Sequence, residues 1–439
     1  MKRAIGLISI LLIASCMLFA GGQKESAAPV ATSSTGSNGE IELVYLNSHA
    51  DPWDGPVGQQ IFDKFYEKYG IKVRSESYPF DQYMELVEVR MQSKASDFDV
   101  FNVDAPLVAS YSVRGYIAPF EDFMSKEDLE ATFTSTGLNA ASYNGKVMTG
   151  PKKESGMIMV YNKDILDRHG IPYPSSDTSE RLTWEELVDM AAQCVEKENG
   201  NVTTWGLIPD QVNRAWNVMP IANSLGARWL SEDGTKATGY LNSEESIEAM
   251  KFYQSWFNEL GISPKGVATN EGRELFDTGR CAFIFGDPVC YARAAGKGLN
   301  VGICPVPAFE DGVPAVGSDS WHVAVNAYSK NKDAAALFVR FITCEEGSDI
   351  FLDSQSNLGC NKSRIEVITA DDYEGHEVYK LLSEDLDAYS VGRPKTPGYN
   401  EWSDVVDMAI EDIRNGSDVK TSLDQAASRI DGLLARYSR

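Results

Sequence analysis

The chain has 439 residues, of which 43 % are hydrophobic and 24 % charged, and its formal net charge is −24. This is the composition of ordinary globular protein, and the length exceeds what one hydrophobic core comfortably holds, so two domains or lobes are expected. The negative charge would repel phosphate backbones and anionic lipid headgroups, which argues against nucleic acid and membrane surfaces as partners.

Residues 1–20 are predicted to be a secretory signal rather than part of the fold. Lys2 and Arg3 give the positive start. The apolar run at 5–14 is shorter than the roughly 20 residues of a spanning helix. Two processing routes stay open: lipid attachment at Cys16, which follows small residues as in a bacterial lipoprotein box, or cleavage after Ala20.

Residues 21–39 are rich in Ser, Ala, Gly and Thr, which predicts a flexible tether. We therefore expect an exported protein, periplasmic or at the cell surface, whose membrane contact is through a lipid anchor only. An even number of cysteines beyond Cys16 permits disulfides without requiring them. The four histidines are scattered and there is no Cys-x-x-Cys, so no metal and no cofactor are expected.

Strands alternate with helices in the first part of the chain. Strands are predicted at 41–46, 71–78 and 99–103, and helices at 59–69, 81–94 and through Ser110. Gly70 is expected to end the first helix, and Leu86, Val89 and Met91 to face inward from the second. This alternation predicts a parallel sheet covered on both faces.

Ligands of such sheets bind at the carboxyl ends of the strands. Those ends here carry Asn47 and His49, then Asp81, then Asp104. All are hydrogen-bonding side chains, so we predict that they face a ligand.

The second part of the chain continues with mixed elements. Strands are predicted at 145–151, 157–161 and 281–285, with a strand pair at 301–304 and 321–325. Helices are predicted at 215–225, 244–260, 332–343, 401–414 and 422–435. Thr183, three residues before Glu186, has the spacing of a capping box at the start of another helix.

Several segments, taken in their order along the chain, resemble those of a known protein family. They are Tyr161-Asn162-Lys163-Asp164, the stretch 174–187 ending in Thr-Trp-Glu-Glu-Leu, Phe276-x-x-Gly279-x-Cys281-Ala282-Phe283, the strand at Trp321 followed by 329–335, Arg393-Pro394, Tyr399-x-x-Trp402 and Asn415-Gly416. The ordered set, spread over nearly the whole mature chain, resembles the family 1 extracellular solute-binding proteins, the maltodextrin-binding-like receptors of bacterial ABC importers.

The resemblance implies an α/β, two-lobed, periplasmic-binding-protein-like type II fold with a hinge and an interlobe cleft. The N-terminal lobe would hold 40–150 and 320–352, and the C-terminal lobe 151–318 and 353–439. The chain would cross near 148–153, near 316–320 and a third time near 354–361. A ligand that touches both lobes stabilises the closed state, and the ABC transporter permease subunits would recognise that state. A monomer is expected.

A sugar site needs flat aromatic faces and fixed hydrogen-bonding groups, because a buried polar group without a partner is costly. The predicted aromatic contacts are Trp53, Trp216, Trp321, Tyr399 and Trp402, each with core packing or, for Trp53, a lid or staple role as the alternative. The predicted polar contacts are Asn47, His49, Asp81, Asp104, Glu154, Asp287 and Arg393. Asp287, which precedes Pro288, could instead form a turn. Trp184 and Trp256 are assigned to packing, and His322, opposite Trp321 on a regular strand, to the interior.

The predicted function is capture of a sugar or oligosaccharide for import. The same fold could bind a phosphate ester if Lys152, Lys153 and Arg393 converged, or a polyamine in a cage of carboxylates and aromatics. A glycoside-active enzyme would need two carboxylates flanking a bond. No pair is marked, and no Gly-x-Ser-x-Gly elbow, phosphate loop or metal motif occurs, so no enzyme is expected. An adhesin or sensor partner would leave the cleft without a small molecule.

Overall fold

The computed structural model describes residues 40–48, 52–355 and 357–437, with the backbone but not the side chains of Phe80, Asp81 and Asp319. The predicted signal, the tether, Cys16 and His49 lie outside the described residues.

The strands are short. They are β1 Glu42–Ser48, β2 Lys72–Tyr78, β3 Val100–Asp104, β4 Ile117–Ala118, β5 Ser142–Tyr143, β6 Lys146–Val147, β7 Gly150–Gly156, β8 Ile158–Asn162, β9 Glu196–Glu198, β10 Asn201–Pro209, β11 Cys281–Gly286, β12 Val301–Cys304, β13 Val316–Asn326, β14 Leu358–Gly359 and β15 Ser390–Gly392.

Helices cover the sheets. They are α1 Pro56–Tyr69, α2 Phe80–Gln92, α3 Leu107–Val113, α4 Lys126–Thr132, α5 Ser135–Ala141, α6 Lys163–His169, α7 Trp184–Gln193, α8 Ala215–Ser224, α9 Glu244–Asn258, α10 Glu271–Asp277, α11 Val289–Gly296, α12 Lys332–Cys344, α13 Glu346–Asp353, α14 Lys362–Ile368, α15 His376–Tyr389, α16 Tyr399–Arg414 and α17 Val419–Leu434. Among the described residues, none of these helices is long and apolar enough to cross a bilayer.

The first sheet has the strand order β14-β7-β13-β3-β1-β2, with β4 and β15 also paired to β13. Strand β1 is parallel to β2 and β3, so the predicted parallel arrangement of the first three strands is confirmed. Strand β13 is antiparallel to β3 and β7, which makes the whole sheet mixed.

The second sheet has the order β12-β8-β11-β10-β9. Strands β10 and β11 are parallel, and β8 is antiparallel to β11 and β12. The predicted strand pair at 301–304 and 321–325 is wrong, because β12 pairs with β8 here whereas β13 lies in the first sheet. Sequence separation alone could not show that the chain changes sheet between these two strands.

The molecule is a two-lobed α/β protein, with one lobe built on each sheet. Strand β7 is paired with β13 over residues 150–156, so the chain leaves the first sheet after Gly156 and enters the second at Ile158. The return passes through the start of β13, where Gly317 packs so closely on Met157 that a Cβ atom would lie 2.9 Å from its sulfur. The end of β7 and the start of β13 thus connect the lobes.

Two sequence predictions concern the early helices: the end of α1 and the buried face of α2. Gly70 ends α1 in the left-handed conformation, with φ 68° and its amide bonded to the Tyr66 carbonyl at 2.8 Å, which confirms that prediction. The inward position of Val89 is wrong, since its side chain is 64 % exposed. The buried face of α2 is formed by Tyr83, Val87 and Met91, which are four residues apart and lie one above the other.

The predicted capping box at α7 is confirmed. Thr183 Oγ1 accepts the Glu186 amide at 3.1 Å, and Glu186 Oε2 accepts the Thr183 amide at 2.9 Å.

Thr183→Ala should therefore lower the free energy of unfolding by about 1 kcal/mol, measured by urea denaturation. Asp189→Ala, in the exposed middle of the same helix, is the matched control and should cause no loss.

Trp184 and Trp256 are 1 % and 0 % exposed, with ring centroids 5.6 Å apart, which confirms their assignment to packing. They lie in the core of the second lobe beside Phe285 of β11.

Candidate functional site: the interlobe cleft

A cavity of about 350 Å³ lies between the two lobes. It is lined by Ala105, Pro106, Ser135, Thr136, Asn139, Ala140, Ser318, Ser320, Asp387, Ser390, Gly392, Arg393 and Lys395. Ala105 and Pro106 follow β3, four residues belong to α5, and Ser318 and Ser320 lie in β13. Asp387 lies in α15, Ser390 and Gly392 lie in β15, which is paired with β13, and Arg393 and Lys395 follow β15. A larger cavity of about 440 Å³ opens beside α1 and β2, but its lining comes from the first lobe alone. The interlobe cavity is the one whose shape depends on how the lobes meet.

The floor of this cavity is formed by neighbouring strands of the first sheet. Trp321 of β13 is in register with Asp104 of β3 on one side and with Lys153 of β7 on the other. The Ala105 amide donates to the Ser320 carbonyl at 3.0 Å, which fixes the end of β3 against β13. The predicted site residues Trp321 and Asp104 are therefore adjacent, and Trp321 is partly buried.

Asp104 and Arg393 form an ion pair beside the cavity. Arg393 Nη2 lies 2.6 Å from Asp104 Oδ1, and the two side chains are only 11 % and 12 % exposed. Arg393 Nη1 also donates to the Tyr399 hydroxyl at 2.9 Å. Arg393 thus contacts two other residues that sequence analysis placed at the cleft, Asp104 from a distant segment and Tyr399 six residues further along the chain.

Glu154 lies in β7 behind the cavity wall and is 1 % exposed. Its Oε2 accepts hydrogen bonds from Thr136 at 2.9 Å and from Thr134 at 3.4 Å. Burial raises the pKa of Glu154 to about 7, and the two threonine hydroxyls partly oppose that shift. Because Thr136 lines the cavity, Glu154 supports the wall through this hydroxyl.

His322 is fully buried, which confirms its assignment to the interior. Its Nε2 lies 2.8 Å from the Ser320 hydroxyl. Burial lowers the pKa of His322 to about 3, and the positive charges of Lys395 and Lys152 act in the same direction. A neutral imidazole thus lies beneath the cavity floor.

Asn47, at the end of β1, is buried in a local polar network. Its amide nitrogen donates to Ser75 Oγ at 2.9 Å, and its oxygen accepts from Ser77 Oγ at 2.6 Å. These bonds hold Asn47 against β2. Asp81 lies in the first turn of α2, and its side chain is outside the described part of the chain.

Two of the predicted stacking tryptophans lie in cores. Trp53 is 1 % exposed, and its ring is stacked on Phe351 with centroids 5.3 Å apart and planes 7° from parallel. Trp402 is 0 % exposed, with its ring centroid 5.6 Å from that of Tyr399. Neither ring lines the interlobe cavity. Core packing was the stated alternative for Trp402, whereas for Trp53 the alternative was a lid or staple role and the structure places its ring in a core.

Asp210 is a buried acid of the second lobe that sequence analysis missed. It directly follows β10, is 0 % exposed, and its Oδ2 accepts from Arg273 Nη2 at 2.6 Å. A Cβ atom on Gly286 would lie 2.3 Å from the Asp210 Cβ, so this close approach requires glycine. The available signal was an aspartate at the end of an apolar strand, as at Asp104.

Asp287 and Trp216 lie near this acid. Asp287 Oδ1 accepts the Val289 amide at 2.8 Å, which is the geometry of a turn-forming aspartate. The Trp216 indole N–H donates to the Gln211 side chain, and the ring is partly buried. Trp216 is the second residue of α8, whose Ala215 amide donates to Asp407 of α16 at 3.1 Å.

The other lining residues that the sequence analysis missed are hydroxyl, amide and ammonium groups. They are Ser135, Thr136, Asn139, Ser318, Ser320, Ser390 and Lys395. Short polar side chains of this kind are common on any surface, and no pattern in the sequence distinguished these from the rest.

The two lysines of β7 do not line the cavity. Lys152 is 1 % exposed, donates to Asn102 Oδ1 at 3.1 Å and lies 4.8 Å from the centroid of the Phe351 ring. Lys153 is 8 % exposed and also faces the Phe351 ring, at 5.9 Å. The convergence of Lys152, Lys153 and Arg393 that an anion site would need is therefore not found.

Within the described residues, no group of three or more His, Cys, Asp or Glu side chains could hold a metal ion. The six cysteines of this part of the chain are free thiols, five of them buried. Burial raises the pKa of Cys194 to about 12, so this thiol stays protonated at neutral pH.

Comparison with known proteins places the chain in a family. The model of the bacterial extracellular solute-binding protein family matches residues 47–348. The chain belongs to this family. As a member it is an extracellular solute-binding protein, and the matched segment runs from the end of β1 to the start of α13.

Relatives of this solute-binding protein match over most of its length. The galactooligosaccharide-binding protein of Bacillus subtilis is 24 % identical over 85 % of this chain and 86 % of its own. The maltooligosaccharide ABC transporter solute-binding lipoprotein of Streptococcus pneumoniae is 20 % identical over 98 % and 96 %. These relatives are named as binding proteins, not enzymes.

The fold is shared with solved structures. An ABC substrate-binding protein from Listeria monocytogenes in complex with cycloalternan has a TM-score of 0.78 and 20 % identity, covering 90 % of this chain and 99 % of its own. At this identity the likeness shows the two-lobed periplasmic-binding-protein fold.

Proposed function

We propose that this solute-binding protein captures a sugar or oligosaccharide in the interlobe cavity and delivers it to the permease subunits of an ABC importer. The observation that carries the proposal is the lining of the cavity. Six hydroxyl or amide side chains, from Ser135, Thr136, Asn139, Ser318, Ser320 and Ser390, surround a space whose volume lies within the range of small-molecule sites. Such groups match the hydroxyls of a sugar, and a site built for hydroxyls rejects ligands that lack them.

Of the predicted set, Arg393 lines the cavity and is paired with Asp104, and we propose these and the following residues as contacts or supports. Asp104, Trp321 and Arg393 offer an acceptor, an aromatic face and a donor beside one another. Trp216 and Asp287 would contribute from the second lobe, with Tyr399 orienting Arg393. Asn47 and Glu154 would position neighbouring groups, since each is held by hydroxyls of its own lobe.

The phosphate-ester alternative lacks the predicted cluster of Lys152, Lys153 and Arg393, and Lys395 is the one other cation among the described residues that line the cavity. Arg393 is neutralised by Asp104, and Lys152 and Lys153 are buried away from the cavity. No observation favours a polyamine over a sugar. We propose that the protein is not an enzyme, since its named relatives are binding proteins.

The domain boundaries and the anchor complete the proposal. The lobes would hold 40–150 with 320–352 and 151–318 with 353–439. The connection between them would be formed by β7, the start of β13, β14 and β15, which are all strands of the first sheet. Cys16 would carry a lipid after export, which would hold a monomer at the membrane next to its permease.

The test is a thermal-shift screen of the purified protein with a sugar panel, a phosphate-ester panel and polyamines. A sugar at 100 times its Kd should stabilise the protein by about 2.7 kcal/mol, seen as a higher melting temperature, and chromatography should show no product. Trp321→Ala should abolish the shift, whereas Trp205→Ala, in the partly buried strand β10, should keep it. A shift with phosphate esters or polyamines and none with sugars would overturn the sugar proposal.

A further inference from the structure

A short segment of the chain, residues 393–398, follows β15, which is paired with β13 of the first sheet, and packs on the second lobe. The carbonyl of Lys395 packs against Gly234, where a Cβ atom would lie 2.3 Å from that oxygen. Gly398 packs on α17, where a Cβ atom would lie 2.4 Å from Leu434 Cδ2. Because both approaches leave no room for a side chain, the position of this segment is fixed relative to the second lobe.

Two cations of this segment, one on each side of Pro394, reach the first lobe. Arg393 Nη2 lies 2.6 Å from Asp104 Oδ1 at the end of β3. Lys395 Nζ donates to Asn139 Oδ1 of α5 at 2.9 Å, to the Asn139 carbonyl, and to the Ser142 carbonyl at 3.5 Å. Each of these contacts joins the 393–398 segment to the first lobe.

We propose that Arg393 and Lys395 form an interlobe latch that holds the two lobes together before any ligand is bound. This deepens the proposed function, on which it rests, by assigning the closing equilibrium of the same site to named residues. Hydrogen bonds that involve a charged group are stronger than neutral ones, and separation of the lobes would break those made by Arg393 and Lys395. The latch therefore shifts the ligand-free population toward the closed state.

The latch also sets affinity. When only a fraction of the protein is competent to hold a ligand on both sides, the apparent Kd is the intrinsic Kd divided by that fraction. Losing the latch lowers the closed fraction, so the apparent Kd rises. Because the Arg393 and Lys395 side chains both line the cavity, a higher Kd in variants of these residues could also come from a lost ligand contact.

The deciding measurement is therefore made without ligand. Small-angle X-ray scattering of the purified, ligand-free protein reports the radius of gyration, which grows when lobes separate. Lys395→Met and Arg393→Met remove the charged groups while keeping much of each aliphatic stem. Each should reduce the closed-to-open ratio by about tenfold and raise the radius of gyration, with a larger rise in the double variant.

Two further variants keep the test decisive. Asp104→Asn removes the charge on the opposite lobe and should open the protein as Arg393→Met does. The test therefore remains decisive if one of these two variants folds poorly. Lys420→Met removes a lysine that is paired with Asp424 at 2.6 Å within α17, so this control should leave the radius of gyration unchanged.

An unchanged radius of gyration in the folded double variant would overturn the latch. So would an equal rise in the Lys420→Met control. The outcome is independent of the sugar screen, since it needs no ligand: a failed sugar panel with opened variants leaves the latch standing, and sugar binding without opened variants leaves the proposed function standing.

Discussion

Trp53→Ala should lower the free energy of unfolding by about 3–5 kcal/mol, the cost of deleting a buried aromatic ring and leaving a cavity. The ring is 1 % exposed and makes contacts that a small side chain cannot replace. It is stacked on Phe351 and meets the Tyr45 ring edge-on at a centroid distance of 4.9 Å. Urea denaturation followed by tryptophan fluorescence and circular dichroism measures the loss.

The matched control is Tyr66→Ala, in the neighbouring helix α1, whose side chain is 44 % exposed. It should cost less than about 1 kcal/mol. Trp53→Phe should cost less than the alanine variant because it keeps an aromatic ring against Phe351. If Trp53→Ala kept full stability but lost the sugar-induced thermal shift, Trp53 would be a ligand contact and not a packing residue.

Two buried titratable groups should change the free energy of unfolding with pH in opposite directions, and the two effects should nearly cancel where their pH ranges overlap. Glu154 has a folded pKa of about 7 against 4.5 in the unfolded chain. Between these values the folded protein holds the extra proton, so stability falls as pH rises, by about 1.4 kcal/mol per pH unit. His322 has a folded pKa of about 3 against 6.5. Between those values the unfolded chain holds the extra proton, so stability rises with pH by the same slope.

The two windows overlap from pH 4.5 to 6.5, where the slopes oppose each other. Glu154→Gln should expose the rise of stability with pH that His322 causes, and should make the protein up to about 3 kcal/mol more stable than wild type near pH 8. His322→Gln should expose the fall that Glu154 causes. Denaturation curves at about pH 4.5, 5.5, 6.5 and 8 measure both slopes.

Glu127→Gln, in the exposed first turn of α4, is the control and should leave the wild-type pH profile in place. Parallel pH profiles for wild type, Glu154→Gln and His322→Gln would show that neither group is held away from its unfolded pKa, and would contradict the burial argument.

Local sequence signals predicted much of the fold because they act over a few residues. Gly70 ends its helix because the left-handed conformation needs no Cβ, and Thr183 and Glu186 satisfy each other's backbone amides. The opening strands and helices alternate clearly enough to predict their parallel pairing. The position of Val89 was wrong because a helix of mixed apolar residues offers two neighbouring faces, and only packing selects one.

What the sequence determined by itself was therefore the family, the alternation of elements and the identity of single groups such as Asp104 and Arg393. Only the tertiary structure decided which of these groups meet, because Asp104, at the end of β3, and Arg393, just after β15, are far apart in the chain. It also decided that Trp53 and Trp402 lie in cores while small hydroxyl side chains line the cavity. Burial depends on neighbours from distant segments, and a tryptophan in a loop has the same local pattern whether its ring faces a ligand or another ring.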